Sequence, residues 1–167
     1  GSTQGLLPAT ITGSGFAAGN TTVTIGGVAA TSVNVTSSTS LTATISAHAA
    51  GAVDIVVTTP GGTITLTGGF TYHDPPTVAS PINPAAGPSS GGQTVTITGT
   101  NFVAGSTAVT IGGVAATSVN VTSSTSLTAT TSALAVGVVD VVVTTPGGSA
   151  TLVSGFTFLE QVIVESV

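Results

Sequence analysis

The sequence predicts an all-β chain folded as two tandem β-sandwiches, the first of them short of its N-terminal edge strand. Three observations carry this expectation. The string VTIGGVAATSVNVTSSTSLTAT occupies positions 23–44 and returns letter for letter at 109–130. Flanking segments keep the same offset of 86: Thr10-Ile11-Thr12-Gly13 aligns with Thr96-Ile97-Thr98-Gly99, and Gly69-Phe70-Thr71-Tyr72 with Gly155-Phe156-Thr157-Phe158. Within each period, short runs of β-branched residues alternate with glycine-rich turns, and no stretch sustains a capped helical period. A repeat filling 167 residues makes two units, each of about 80 residues. A unit of that size buries roughly 60 % of its unfolded surface, enough for one sandwiched core without disulfides.

The second copy is complete and gives the element order. A first strand is expected over about Thr77 to Pro84, followed by the Pro84–Gly92 connection, whose prolines and glycines suit a loop. Thr94-Val95-Thr96-Ile97-Thr98 alternates apolar and hydroxyl residues and reads as a half-buried strand. Val109-Thr110-Ile111 ends on Gly112-Gly113, a tight-turn signal, and Ser126-Leu127-Thr128-Ala129-Thr130 alternates again. Asp140-Val141-Val142-Val143-Thr144 is an unbroken apolar run, closed by Thr145-Pro146-Gly147-Gly148. Turn signals at such short spacing are those of a sandwich.

Charge removes whole classes of function. The chain has no lysine or arginine and a formal net charge of −5, so a phosphate backbone finds no cationic side chains and nucleic acid is excluded as a partner. An anionic membrane surface is disfavoured for the same reason. No apolar run approaches the ~18 residues of a membrane-spanning helix, so membrane insertion is not expected. With 3 % charged residues, the surface must be wetted by threonine, serine and asparagine. That composition suits an exported chain, and cysteine, absent here, leaves the redox compartment open.

The second copy resembles an IPT/TIG domain over about Pro75 to Phe158, and the first over about Pro8 to Tyr72. The motifs are the Pro-x-x-Gly-Pro-x-x-Gly-Gly opening, the Thr-Gly-x-x-Phe turn, Gly-Gly-x-x-Ala, and a closing Pro-Gly-Gly…Gly-Phe-x-Phe/Tyr. The resemblance implies an immunoglobulin-like sandwich of about seven strands, used as a spacer or interaction module. In bacteria and archaea it implies a surface or secreted protein with tandem copies. Members that bind DNA do so through basic loops, which this sequence lacks.

Titratable side chains are few. His48 stands where the second copy has Leu134, and His73 lies in His73-Asp74-Pro75-Pro76 between the copies. Each is expected to be a solvated loop histidine, because a hydrolytic triad needs a base beside a nucleophile. Asp54 and Asp140 are repeat equivalents with no second carboxylate near them, so a polar residue at a strand end is expected, not a calcium site. Two ligands, His73 and Asp74, are too few for a metal. Neither a cofactor nor an enzymatic activity is expected. Asn20, Asn34 and Asn120 begin Asn-x-Thr sequons of the kind a threonine-rich chain contains by chance.

The ends suggest a function. Gly1 corresponds to Gly87, so the first copy starts after the first strand, while residues 159–167 run into the register of another first strand, Val164 on Val78 and Ser166 on Ser80. The expected organisation is residues 1–74 as an incomplete unit, 75–158 as a complete one and 159–167 as a tail. A sandwich short of an edge strand exposes apolar core and unpaired backbone groups, a template for strand addition. A Pro-Pro linker holds neighbouring units extended, so insertion into another copy is simpler than insertion at home. The expected function is an extracellular or cell-surface structural protein that polymerises head to tail with itself, such contacts being unable to close. Val162, Ile163, Val164, Ser166 and Val167 are the expected donor residues, and Leu6, Leu7, Ala9 and Ile11 the acceptor groove. Other cell-surface components are further possible partners. Two alternatives stand beside this: tandem spacer repeats excised from a larger surface adhesin, and a glycan-binding accessory module of a secreted enzyme. The latter is weakened by the scarcity of aromatics, most of which fall on repeat-equivalent core positions, Phe16 with Phe102 and Phe70 with Phe156.

Overall fold

A computed structural model of the chain describes residues 1–161. Every regular element among them is a β-strand, and the chain divides into two compact units at Asp74/Pro75. The first holds β1 (Leu7–Thr12), β2 (Thr22–Ile25), β3 (Val28–Ala29), β4 (Thr31–Ser37), β5 (Ser40–Ile45), β6 (Gly51–Thr59) and β7 (Gly62–Tyr72). They form two antiparallel sheets, ordered β1-β5-β4 and β3-β2-β6-β7. The second holds β8 (Thr77–Val78), β9 (Ala86–Pro88), β10 (Thr94–Thr100), β11 (Ala108–Ile111), β12 (Val114–Ala115), β13 (Thr117–Ser123), β14 (Ser126–Thr130), β15 (Gly137–Thr145) and β16 (Gly148–Leu159). Its sheets are β13-β14-β10-β8 and β12-β11-β15-β16-β9. Each unit is therefore an immunoglobulin-like sandwich, and the second carries one extra strand in each sheet.

Local sequence explains the elements. The period of two puts Val95 and Ile97 into the core and leaves Thr94, Thr96 and Thr98 outward, facing Thr130, Thr128 and Ser126 across the ladder. Cross-strand hydroxyl pairs of this kind stabilise a pleated face and wet it without charge. The β2–β3 hairpin turns on Gly26-Gly27, both with positive φ (60° and 78°), as a two-residue turn between right-twisted strands demands.

The expected first strand of the second unit, about Thr77 to Pro84, is shortened to β8 and one bridge, and the Pro84–Gly92 connection expected to be a loop contains β9. Thr77 and Val78 pair with Thr100 and Gly99 of β10, and Asn83 bridges Thr96. The chain then crosses to the other sheet, where Ala86, Gly87 and Pro88 run parallel to Thr157, Phe158 and Leu159 of β16. Pro81 and Pro84 have no N–H to donate, so one uninterrupted ladder cannot form through them. Leu159 is the last residue of β16, with its carbonyl accepting from the Ser89 N–H. The expected tail therefore gives up its first residue to the second unit.

The two cores differ where that first segment lies. In the second unit Ile82, Val95, Ile97, Val141 and Phe156 are all buried, with Ile97 and Val141 wholly inaccessible. Their counterparts in the first unit, Ala9, Ile11, Ile55 and Phe70, are only partly buried and pack around the core of Val23, Ile25, Leu41, Ile45 and Tyr72. Among the described residues, none of the first unit's core stands at the place of Ile82.

Candidate functional site

The site is built from the outer edge of β1 and the facing strands β6 and β7. Among the described residues, β10 is flanked on both sides, by β14 and β8, and β1 by β5 alone. In the second unit the Thr96 N–H and carbonyl exchange bonds with Asn83 at 2.7 and 3.0 Å, and the Thr98 carbonyl accepts from the Ala79 N–H at 2.8 Å. Thr10 and Thr12 occupy the same places on β1 and present the same groups along an edge that no described strand covers.

Behind this edge lie two contiguous clefts of ≈ 370 and ≈ 300 Å³. The larger runs from Ile11 and Gly13 past Phe16 to Ile55, Val57, Ile64 and Leu66. The smaller continues over Ser14 and Gly15 to the Thr59–Gly62 turn. Ile64 and Leu66 on β7 are 70 % and 60 % exposed, a large apolar surface for one strand. In the second unit the corresponding turn is largely covered: Thr145 and Gly147 are buried where Thr59 is half-buried and Gly61 exposed.

Of the expected acceptor residues, Leu7, Ala9 and Ile11 alternate inward on β1 and pack on the core. Ile11 lines the larger cleft. Leu6 is 83 % exposed with φ of 59° and does not face it. The far wall, from β6 and β7, was not anticipated, because these strands are distant in sequence from β1 and meet it only in the sandwich. The apolar pair Ile64 and Leu66 within Thr63–Thr67 was the available signal. The expected donor residues Val162, Ile163, Val164, Ser166 and Val167 lie outside the described residues.

The titratable groups have structural places. The Asp54 and Asp140 carboxylates sit where the β6–β7 and β15–β16 registers shift, and each accepts a backbone N–H, from Gly68 and Ser154, at 2.8 Å. His48 is not simply solvated as expected. It is half-buried, stacks on Tyr72 with ring centroids 5.0 Å apart, and holds Nδ1 2.8 Å from the Ala49 carbonyl oxygen. The Tyr72 hydroxyl donates to the Ser46 carbonyl at 2.9 Å, and burial raises its pKa. His73 extends the β7 edge through a parallel bridge to Ser2. Among the described residues no three His, Asp or Glu side chains gather as metal ligands, and no helix is long and apolar enough to cross a membrane.

A family model for the IPT/TIG domain matches residues 1–72 and again 76–159. The chain belongs to the IPT/TIG domain family. This IPT/TIG pair is similar in fold to the plexin A4 extracellular region, with a TM-score of 0.62 and 22 % identity, covering 96 % of this chain and 15 % of that one. A second plexin A4 structure gives 0.54 at 20 %, covering 95 % of this chain and 17 % of that one. SGBP-B from a xyloglucan utilization locus in Bacteroides uniformis gives 0.45 at 21 %, covering 93 % and 46 %. The chain spans less than half of each of these proteins. No curated protein matches it.

Proposed function

We propose that this IPT/TIG pair is a non-catalytic structural protein of the cell exterior, joined to further copies of itself by strand insertion. The tail of one copy enters the open cleft of the next and completes the β1 edge, and because the contact is head-to-tail it propagates as a filament. One observation carries the reading: an apolar cleft beside an open strand edge in the first unit, at the place the second unit fills with its own residues Pro75–Val78. Backbone pairing and small apolar side chains supply the contact, in keeping with a chain of 3 % charged residues. Repeat identity also favours it, since a junction between copies would reproduce the covalent junction within one.

Spacer repeats of a longer surface protein are the second reading, favoured by the way Pro75–Val78, directly following the first unit, fills the second unit's cleft. A preceding repeat would then fill the first in the same way. Glycan binding has less support, for all six aromatic rings lie in or against the cores and none forms an exposed platform. Negative-stain microscopy and light scattering on the whole chain and on a chain ending at Gln161 separate these readings. Filaments that vanish with the tail are expected. Monomers in both forms would leave the spacer reading, and filaments indifferent to the tail would end strand insertion.

A further inference from the structure

We infer that the outer edge of β7 is a further contact between copies, a two-fold antiparallel pairing of residues 62–68 with the same segment of another chain, centred on Thr65. Among the described residues, β7 is the last strand of its sheet and pairs with β6 alone along this stretch. Sheet edges are ordinarily blunted by lysine, proline, an inward charge or a bulge. Between Gly62 and Leu66 β7 has none of these, and the register shift at Asp54 comes only after Leu66. Every residue from Gly62 to Gly69 is exposed, Ile64 by 70 % and Leu66 by 60 %. The edge therefore offers a row of N–H and C=O groups beside an apolar pair, a template for another strand.

The segment Thr63-Ile64-Thr65-Leu66-Thr67 is complementary to itself. An axis through Thr65 sets Ile64 of one copy opposite Leu66 of the other and Thr63 opposite Thr67, so apolar meets apolar on one face and hydroxyl meets hydroxyl on the other. Neighbouring centres do not: about Ile64, Leu66 meets Gly62, and about Leu66, Ile64 meets Gly68. Charge permits the pairing. The Asp54 carboxylate, held by the Gly68 N–H at 2.8 Å, falls beside Gly62 of the other copy. The two aspartates then stand about 20 Å apart along the strands, twice the Debye length of about 10 Å at 0.1 M salt. The second unit lacks this match: on β16 the same axis would set Ala150 against Leu152 and Ser149 against Val153, and Leu152 already packs against the core. The occupant that the β7 edge fits is therefore the first unit of a second copy. Such a contact is isologous and closes on two chains. It lies in the other sheet from β1 and does not depend on strand insertion.

Because the chain has no cysteine, a single introduced one reports the contact. Thr63, Thr65 and Thr67 are all exposed, so substitution there leaves the core untouched. In the whole chain, Thr65→Cys is expected to give a disulfide-linked dimer on a non-reducing gel after mild oxidation, because a residue on the axis faces its own copy at about 5 Å, within a disulfide's reach. Thr63→Cys alone is expected to give roughly tenfold less, its two copies lying about 13 Å apart, whereas an equal mixture of Thr63→Cys and Thr67→Cys chains links. The same mixture carrying Thr65→Lys, which sets like charges face to face, is expected to lose the link. A head-to-tail contact joins unlike surfaces and sets no residue against its own copy, so the link at position 65 reports the two-fold contact whether or not strand insertion holds. Equal linking through positions 63 and 65, or linking that survives Thr65→Lys, would overturn the two-fold register. No link through any of the three would remove the contact itself.

Discussion

At the residue scale, glycines 99 and 13 show how one position serves two roles. A Cβ at Gly99 would run into the Thr77 carbonyl, which is backbone and cannot give way. At Gly13 the same Cβ meets only the far end of the Phe16 ring, 2.8 Å away. Gly99→Ala is expected to destabilise the second unit by about 1–3 kcal/mol, whereas Gly13→Ala leaves the isolated first unit within about 0.5 kcal/mol and suppresses assembly, because an incoming carbonyl meets the new methyl. Urea unfolding and light scattering of the two variants check this pair. Tyr72 makes a further residue-scale prediction. It stands where the second unit has Phe158, and burial holds its pKa above the ordinary value of 10.0. The unfolded tyrosine loses its proton first, so the stability that Tyr72 brings is intact below about pH 10 and declines as pH rises further. Tyr72→Phe is expected to cost about 1 kcal/mol at neutral pH for the lost bond to Ser46 and to abolish the alkaline decline. Unfolding followed at pH 7 and 11 would show it.

At the scale of elements, the strands with clear alternation or a β-branched run were legible because those signals act locally, whereas β13 (Thr117–Ser123) and the long β16 (Gly148–Leu159), with no sustained run of either kind, were not placed. Thr94–Thr98 lengthens only to Thr100 as β10, and Asp140–Thr144 becomes the centre of β15. The short β12 and the parallel β9 were not legible, because two or three residues carry no period and their pairing is decided by partners about 70 residues away in β16 for β9. The same reason hid half of the cleft. Its β1 wall follows from Leu7, Ala9 and Ile11 alternating inward, but Ile55, Val57, Ile64 and Leu66 join them only after the two sheets stack. The aspartates were read as polar strand ends and instead each secures a register shift, with Gly68 or Ser154 beside it at φ of 62° or 54°. A serine in the left-handed region is strained where glycine is not. Asp140→Ala is expected to destabilise the second unit by about 0.5–1.5 kcal/mol, because water replaces the carboxylate at the exposed Ser154 N–H, and Ser154→Gly to stabilise it by several tenths of a kcal/mol. Thermal unfolding of both variants tests the bulge as a unit, and an unchanged transition in Asp140→Ala would refute the bond's role.

At the scale of the whole molecule, one sequence written twice yields two cores of unequal quality. Ile11, Ile55, Phe70, Ile64 and Leu66 keep contact with water in the first unit, while Ile97, Val141 and Phe156 in the second are sealed. Apolar area left in water contributes nothing at roughly 25 cal/mol per Å², so the first unit is expected to unfold before the second in a two-step thermal transition. Assembly should close the gap. A strand that binds only the folded first unit stabilises it by mass action, roughly 2.7 kcal/mol at a hundredfold excess over its dissociation constant. For a unit of this size that raises the lower transition by more than about 10 °C. The upper transition should stay where it is, because the second unit's cleft is already filled by Pro75–Val78. Without a lysine or arginine in the chain, the junction is expected to draw little on ion pairs that salt would screen. The shift should then persist between about 0.01 M and 1 M sodium chloride, a range over which the Debye length falls from about 30 to 3 Å. Calorimetry on the whole chain against the form ending at Gln161, at both salt concentrations, makes the comparison. A lower transition that ignores the tail, or one that recovers its truncated value in salt, would show that the first unit's open edge is not where the copies meet.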